Sequence, residues 1–170
     1  MFRFVYDLPL DQTMDFETVY HPAMQFTLEE KVDMRNTPGS IFVWMFVEGE
    51  LAGESYGLPV RNMGEPIEGL DALPENEESR AVYCYSNTIL PAFQNRGLGT
   101  VLKSHWLGLV SGAGYSIVYG RAREGASQAL NASFGAVFLH SFPDCCGTGE
   151  EYKLYRLALD GFRTGAATSA

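Results

Sequence analysis

The apolar positions of this 170-residue chain follow two periodicities. Alternation, or a short run rich in Val, Ile and aromatic residues, predicts strands at residues 2–6, 41–47, 51–60, 81–89, 115–119, 137–142 and 152–159. Helical spacing predicts helices at residues 15–24, 27–35, 97–111 and 124–134. In the third helix Leu98, Val101, Leu102, Trp106, Leu109 and Val110 share one face, and Gly112 and Gly114 end it. Thr27 with Glu30 makes a capping box, and Thr37-Pro38-Gly39 stops that helix. Glu48-Gly49-Glu50 predicts a hairpin turn. Residues 61–80 carry Gly64, Pro66, Gly69 and Pro74 among acidic residues and predict a long loop, of a length often used as a lid or binding segment. The order β-α-α-β-β-β-α-β-α-β-β predicts one α+β domain over residues 1–160, followed by a small, polar, frayed tail at 161–170.

Composition narrows the class. The net charge of −9 argues against nucleic acid as a partner, which would call for a basic face. It permits a field that attracts cationic amines, although much of the acid falls between Glu65 and Glu78, where a solvated loop explains it equally well. The start of the chain lacks the flanks of a signal peptide, and no run of eighteen apolar residues predicts a membrane span. Three cysteines, Cys84, Cys145 and Cys146, suit a reducing, cytoplasmic setting better than a disulfide framework. Cys145, Cys146 and His140 lack the spacing of a metal site, so no metal is expected.

The chemistry concentrates in Gln94-Asn95-Arg96-Gly97-Leu98-Gly99-Thr100, between a predicted strand and a predicted helix. Such a turn presents several backbone N–H groups to one side, and the helix dipole adds partial positive charge there, so an anion such as phosphate is favoured. Glycines allow close approach, and Arg96 adds a cation. A phosphorylated cofactor is the natural ligand.

The stretch Thr88-Ile89-Leu90-Pro91-Ala92-Phe93-Gln94-Asn95-Arg96-Gly97-Leu98-Gly99 resembles the strand and pyrophosphate loop of the GNAT acyltransferases, which use acetyl-CoA. The match is good from about residue 80 to 160, extends to the earlier residues in element order only, and has a weaker echo at Phe134-Gly135-Ala136. The resemblance implies a three-layer α/β/α fold around a mixed, mostly antiparallel sheet, splayed between strands 4 and 5. It implies that the backbone of Arg96 to Thr100 holds the CoA pyrophosphate, with Gln94 and Asn95 lining the loop, Ile89 beside the pantetheine arm and Arg121 and Arg123 in reach of a phosphate. It further implies that the N–H of Asn87 polarises the thioester, whereas a bulge residue satisfying its own backbone is an equal reading of that Asn.

Direct transfer needs a group to take the amine's proton and favours another to protonate the leaving thiolate. Where the family often has a strand-4 carboxylate, this chain has Tyr83, with Tyr85 on the same face; Glu54 on the neighbouring strand is the alternative base. Where the family has its acid tyrosine, counting back from Gly135 gives Asn131, which can contact the cofactor but cannot donate a proton in general-acid catalysis. Ser127 or Tyr119 are the substitutes, or the thiolate leaves without help. The expected function is N-acetyl transfer from acetyl-CoA to an amine of a small molecule or peptide. The alternatives are a GNAT-fold module that binds CoA or acyl-CoA without turnover and, on a weaker basis, transfer of a longer acyl chain. The sequence leaves a homodimer open.

Overall fold

A computed structural model of the chain describes residues 1–64, 66–70, 73 and 75–160; the expected tail at 161–170 lies outside the described residues. Seven strands, β1 (Phe2–Val5), β2 (Ile41–Val47), β3 (Glu50–Pro59), β4 (Ala81–Ile89), β5 (Ile117–Arg123), β6 (Val137–Phe142) and β7 (Tyr152–Ala158), form one sheet in the order β1-β2-β3-β4-β5-β7-β6. All neighbours are antiparallel except β4 and β5. The helices are α1 (Leu28–Asn36), α2 (Glu75–Glu78), α3 (Leu98–Gly112) and α4 (Ala126–Ser133).

The two faces are covered by different parts of the chain. Leu102, Trp106, Leu107 and Val110 of α3 pack against Val43, Met45, Val82, Cys84, Ile89 and Val118. On the opposite face Leu10 and Phe16 cover Phe42, Trp44 and Tyr56. A third cluster places Met63, Ile67, Leu70 and Leu73 against Ala81, Tyr83, Tyr119, Phe142 and Tyr152. The expected α/β/α layering is thus present.

Local chemistry accounts for most elements. Glu48 and Gly49 both have positive φ, 55° and 93°, the conformation a two-residue hairpin between right-twisted strands requires. Thr27 and Glu30 form the capping box of α1. The segment expected to be helical at 15–24 is instead a 3-10 helix at Leu10–Val19 and a short 3-10 turn at Pro22–Met24. Thr13 and Thr18 donate their hydroxyls to carbonyls three residues back, which favours tighter winding, and Pro22 cannot supply the N–H that continuation needs. The predicted loop at 61–80 contains α2 and a 3-10 turn, and its apolar residues dock on the sheet. Strand β5 runs on to Arg123, past the predicted end at residue 119, and Gly125 (φ 94°) starts α4.

Two features shape the sheet. The first is a bulge in β4: Tyr56 pairs with Ser86 but Gly57 pairs with Cys84, so Tyr85 is the extra residue. The second is the short β4–β5 ladder, which joins Ala81 through Cys84 to Ile117 through Gly120 and then stops. Beyond it β4 follows β3 to Ile89 and β5 follows β7 to Arg123, so the strands diverge. At the fork the phenol of Tyr155 lies against Gly120, where an added Cβ would come within 2.6 Å of the hydroxyl oxygen and 2.8 Å of the ring.

A buried ion cluster ties the N-terminal layer to the sheet. Lys31, fully buried, reaches Glu54 at 2.9 Å and Glu17 at 3.0 Å, and the Trp44 indole donates to Glu54 at 2.7 Å. Burial holds the Glu54 carboxyl above its ordinary range, against the pull of Lys31 and Trp44. Removing one partner of such a cluster leaves uncompensated buried charge.

Lys31→Met should therefore cost about 3–5 kcal/mol in urea unfolding at neutral pH. A carboxyl whose folded pKa is raised takes its proton first in the folded state. Stability of the variant should consequently rise as pH falls from neutral toward the unfolded carboxylate value of 4.5. A loss that does not shrink on acidification would contradict the cluster's role. Gly120→Ala should cost about 1–3 kcal/mol by overpacking against Tyr155, and Gly120→Ala with Tyr155→Phe should recover part of that loss in the same assay.

Candidate active site

The gap left by the diverging strands opens into a cleft of about 340 Å³ lined from both faces of the sheet. The N–H of Leu90 donates to Ala52 on β3 at 2.9 Å, and backbone groups alternate sides along a strand. Ser86 and Thr88 therefore turn their backbone toward β3, whereas Asn87 and Ile89 turn theirs toward the side that β5 has left. The Ile89 carbonyl accepts from Gln94 Nε2 at 2.9 Å, which fixes the start of the following loop.

That loop winds through a 3-10 turn at Pro91–Phe93 and then takes two left-handed residues, Asn95 (φ 59°) and Gly97 (φ 73°), before α3. No side chain caps α3, and Gln94, Asn95, Arg96, Gly97 and Thr100 are exposed. Alternating left-handed turns aim successive N–H groups at one point, here the uncapped positive end of a fifteen-residue helix. Gly97 has open space around its missing Cβ; its backbone angle is what excludes other residues. The Arg96 guanidinium lies 5.8 Å from the Phe93 ring centre, outside the cleft lining, as is Thr100.

The lining includes Asn87, Ile89, Gln94, Asn95, Gly97, Leu98, Gly99 and Asn131, so the structure gathers most of the predicted cofactor residues around one space. Asn87 Nδ2 reaches the Gly99 carbonyl at 3.4 Å and Asn131 Nδ2 donates to the Ser127 carbonyl at 2.9 Å. Each leaves a buried side-chain oxygen without a partner. Arg121 and Arg123 also line the cleft, but both are engaged: Arg121 with Glu68 and over the Phe142 ring at 4.2 Å, Arg123 with Glu150 at 3.4 Å.

The two candidate bases stand elsewhere. Glu54 is 1% exposed inside the ion cluster, away from the cleft lining. Tyr83 packs under the acidic segment with Phe142 and Cys145, and burial raises its phenol well above the ordinary range. Of the substitute acids, Ser127 lines the cleft, but Tyr119 donates to Glu77 of α2 at 2.7 Å, and burial and that bond push it up to about 12. Among the described residues no Asp or Glu lines the cleft.

Two residues that sequence reasoning missed do line it. The Tyr20 hydroxyl meets Ser86 at 3.0 Å and makes a short contact with Thr88; Ser86 and Thr88 are themselves 3.0 Å apart. Burial raises the Tyr20 phenol. Lys103 of α3 lies at the inner end, 1% exposed, bonded to Tyr155 at 3.0 Å and Cys84 at 3.4 Å. Tyr20 is a lone residue of an irregular segment, and Lys103 a single polar residue on a helix; neither carries a sequence motif. Among the described residues no His, Cys, Asp and Glu cluster could hold a metal, and no helix is long and apolar enough to cross a membrane.

No model of a protein family matches the sequence, and no curated protein matches it. Solved structures do. A ribosomal-protein-alanine N-acetyltransferase from Brucella melitensis is 16% identical with a TM-score of 0.67, covering 92% of this chain and 99% of its own. A candidate acetyltransferase of Salmonella typhimurium, solved with its cofactor acetyl-CoA, is 16% identical with a TM-score of 0.67, over 99% and 98%. A candidate GNAT-family acetyltransferase of Desulfovibrio desulfuricans is 18% identical with a TM-score of 0.64, over 94% and 99%. At such identities the shared property is architecture, and it agrees with the parallel β4–β5 pair, their divergence and the loop before α3: the chain has the GNAT fold.

Proposed function

We propose that the chain is an N-acyltransferase that takes an acetyl group from acetyl-CoA and passes it directly to an amine of a small molecule or peptide. One observation carries the reading. The edge of β4 that β5 leaves leads into a loop with two left-handed residues, Asn95 and Gly97, at the uncapped start of α3. An extended amide-bearing chain ending in a pyrophosphate matches that surface along its length. The neighbouring structure solved with its cofactor acetyl-CoA supports the same choice.

In this reading the N–H groups from Arg96 to Thr100 hold the pyrophosphate, and Arg96 faces the phosphates from solvent. The amides of the pantetheine arm pair with the backbone of Asn87 and with the N–H of Ile89, whose carbonyl already accepts from Gln94. Their N–H groups also give Asn87 Oδ1 and Asn131 Oδ1 the donors they lack. The Asn87 N–H polarises the thioester carbonyl, a contribution worth roughly 3–4 kcal/mol for one such donor. The amine nitrogen attacks that carbon, the C–N bond forms, the C–S bond breaks and the thiolate leaves. With no carboxylate in the lining among the described residues, the Tyr20, Ser86 and Thr88 hydroxyls are the groups placed to pass the amine's proton outward. Ser127 is the hydroxyl on the α4 side for the thiolate.

The absence of Glu54 and Tyr83 from the lining favours one second reading, a module that binds CoA or acyl-CoA without turnover. Thiol release from acetyl-CoA over a panel of amines separates the two. Amine-dependent release supports the enzyme, and saturable binding with no release supports the module.

Gly97→Val should weaken CoA binding in calorimetry by at least about tenfold, from lost N–H contacts to phosphate. The left-handed angle should also cost about 1–2 kcal/mol in unfolding. Unchanged affinity in the folded variant would remove the loop as the cofactor site.

A further inference from the structure

The molecule buries two lysines completely, and they are treated in opposite ways. Lys31 has two carboxylates, at 2.9 and 3.0 Å. Lys103 has no carboxylate: its partners are the Tyr155 hydroxyl, the Cys84 sulfur, and the faces of Trp106 and Tyr155 at 5.2 and 5.3 Å. Among the described residues no carboxylate lies within 4.0 Å of its ammonium. A fully buried ammonium without a counter-ion is costly, and lysine is almost never fully buried unless paired. The missing counter-charge has an entry route, because Lys103 lines the cleft.

Position states which reactant supplies it. Cys84 and Gly120 are the last pair of the β4–β5 ladder, and Tyr155 lies against Gly120. Lys103 therefore marks the closed end of the fork. Cys84 and Trp106 belong to the core beneath α3, the helix whose start carries the phosphate loop. Tyr20, Ser86 and Thr88 border the cleft from the opposite face, beside Tyr56 and Glu54. An amine acceptor, cationic before it reacts, is repelled by an ammonium. A thioester chain laid along β4 points its acyl end into the fork.

We propose that Lys103 binds a carboxylate at the far end of the donor's acyl group, so that the preferred donor is a CoA thioester of a short dicarboxylic acid, such as malonyl- or succinyl-CoA. The acyl carboxylate replaces the counter-ion that the chain withholds, with Tyr155 as a second donor to it. An acetyl group fills the same place without meeting the charge. The inference rests on the CoA reading above and names the donor class for that site.

The test measures dissociation constants of CoA, acetyl-CoA and succinyl-CoA for the whole chain and for Lys103→Met. Succinyl-CoA should bind the native chain at least about tenfold tighter than acetyl-CoA, as a charge-assisted bond predicts. Lys103→Met should bring that ratio to about one; a general loss of packing would weaken both donors together and leave the ratio unmoved. Equal affinities in the native chain overturn the proposal, and that comparison stands by itself if the variant does not fold. Persistence of the preference in folded Lys103→Met also overturns it. So does a finding that Lys103→Met changes only the selection of carboxylate-bearing acceptors with acetyl-CoA. Absence of any CoA binding removes the cofactor reading and this one together, whereas CoA binding with equal donors removes this one alone.

Discussion

The site depends on the parallel ladder between β4 and β5 ending after Cys84 and Gly120. Each strand keeps its other neighbour, so the sheet remains whole while one strand edge is left open in its middle. Open backbone groups inside a protein need partners. Here they border a cleft, and the chain that opens it also ends it, because β4 runs straight into the loop before α3. The fork is kept apart from behind as well as in front: Tyr155 occupies the space where a side chain at Gly120 would stand, and Lys103 holds Tyr155 and Cys84 across the apex. Divergence, the uncapped start of α3 and the buried Lys103 all border one break in pairing.

What the sequence revealed divides along the same line. The turn before α3 was legible because its signal is local: a turn, two glycines and a helix start lie within seven residues. The capping box of α1 and the hairpin at Glu48-Gly49 were legible for the same reason. Side-chain facing in β4 was harder to read. Tyr83 and Tyr85 were expected to share a face, and their rings do meet at 5.0 Å. But the bulge at Tyr85 changes the parity of the strand. Cys84 and Ile89, five residues apart, enter the same core beneath α3, and Thr88 comes to pair with Glu54 on the opposite face. No rule of period two survives that shift. Whether a residue near it reaches the cleft is set by the partner strand.

Glu54 shows a second limit. A carboxylate on a strand beside the expected site is chemically plausible as a base. Its role was decided by Lys31, 23 residues earlier, and by Glu17, from a segment that was expected to be an ordinary helix. The same long-range placement made Tyr20 a cleft residue through contacts 66 and 68 positions away. Such pairings leave no trace in local composition.

Net charge is a poor guide to the field inside the cleft. The chain carries −9, yet the described lining holds Lys103, Arg121 and Arg123 and no acid. The acids are spent elsewhere: Glu17 and Glu54 on Lys31, Glu68 on Arg121, Glu77 on Arg156 and Glu150 on Arg123. Arg121 and Arg123 are thereby paired with carboxylates, whereas Lys103, at the apex, has no carboxylate partner among the described residues. A charge of low exposure without a carboxylate partner acts more strongly than a paired one in water, which is why the proposed acyl carboxylate is placed at the apex. The acidic exterior and the cationic interior are therefore compatible.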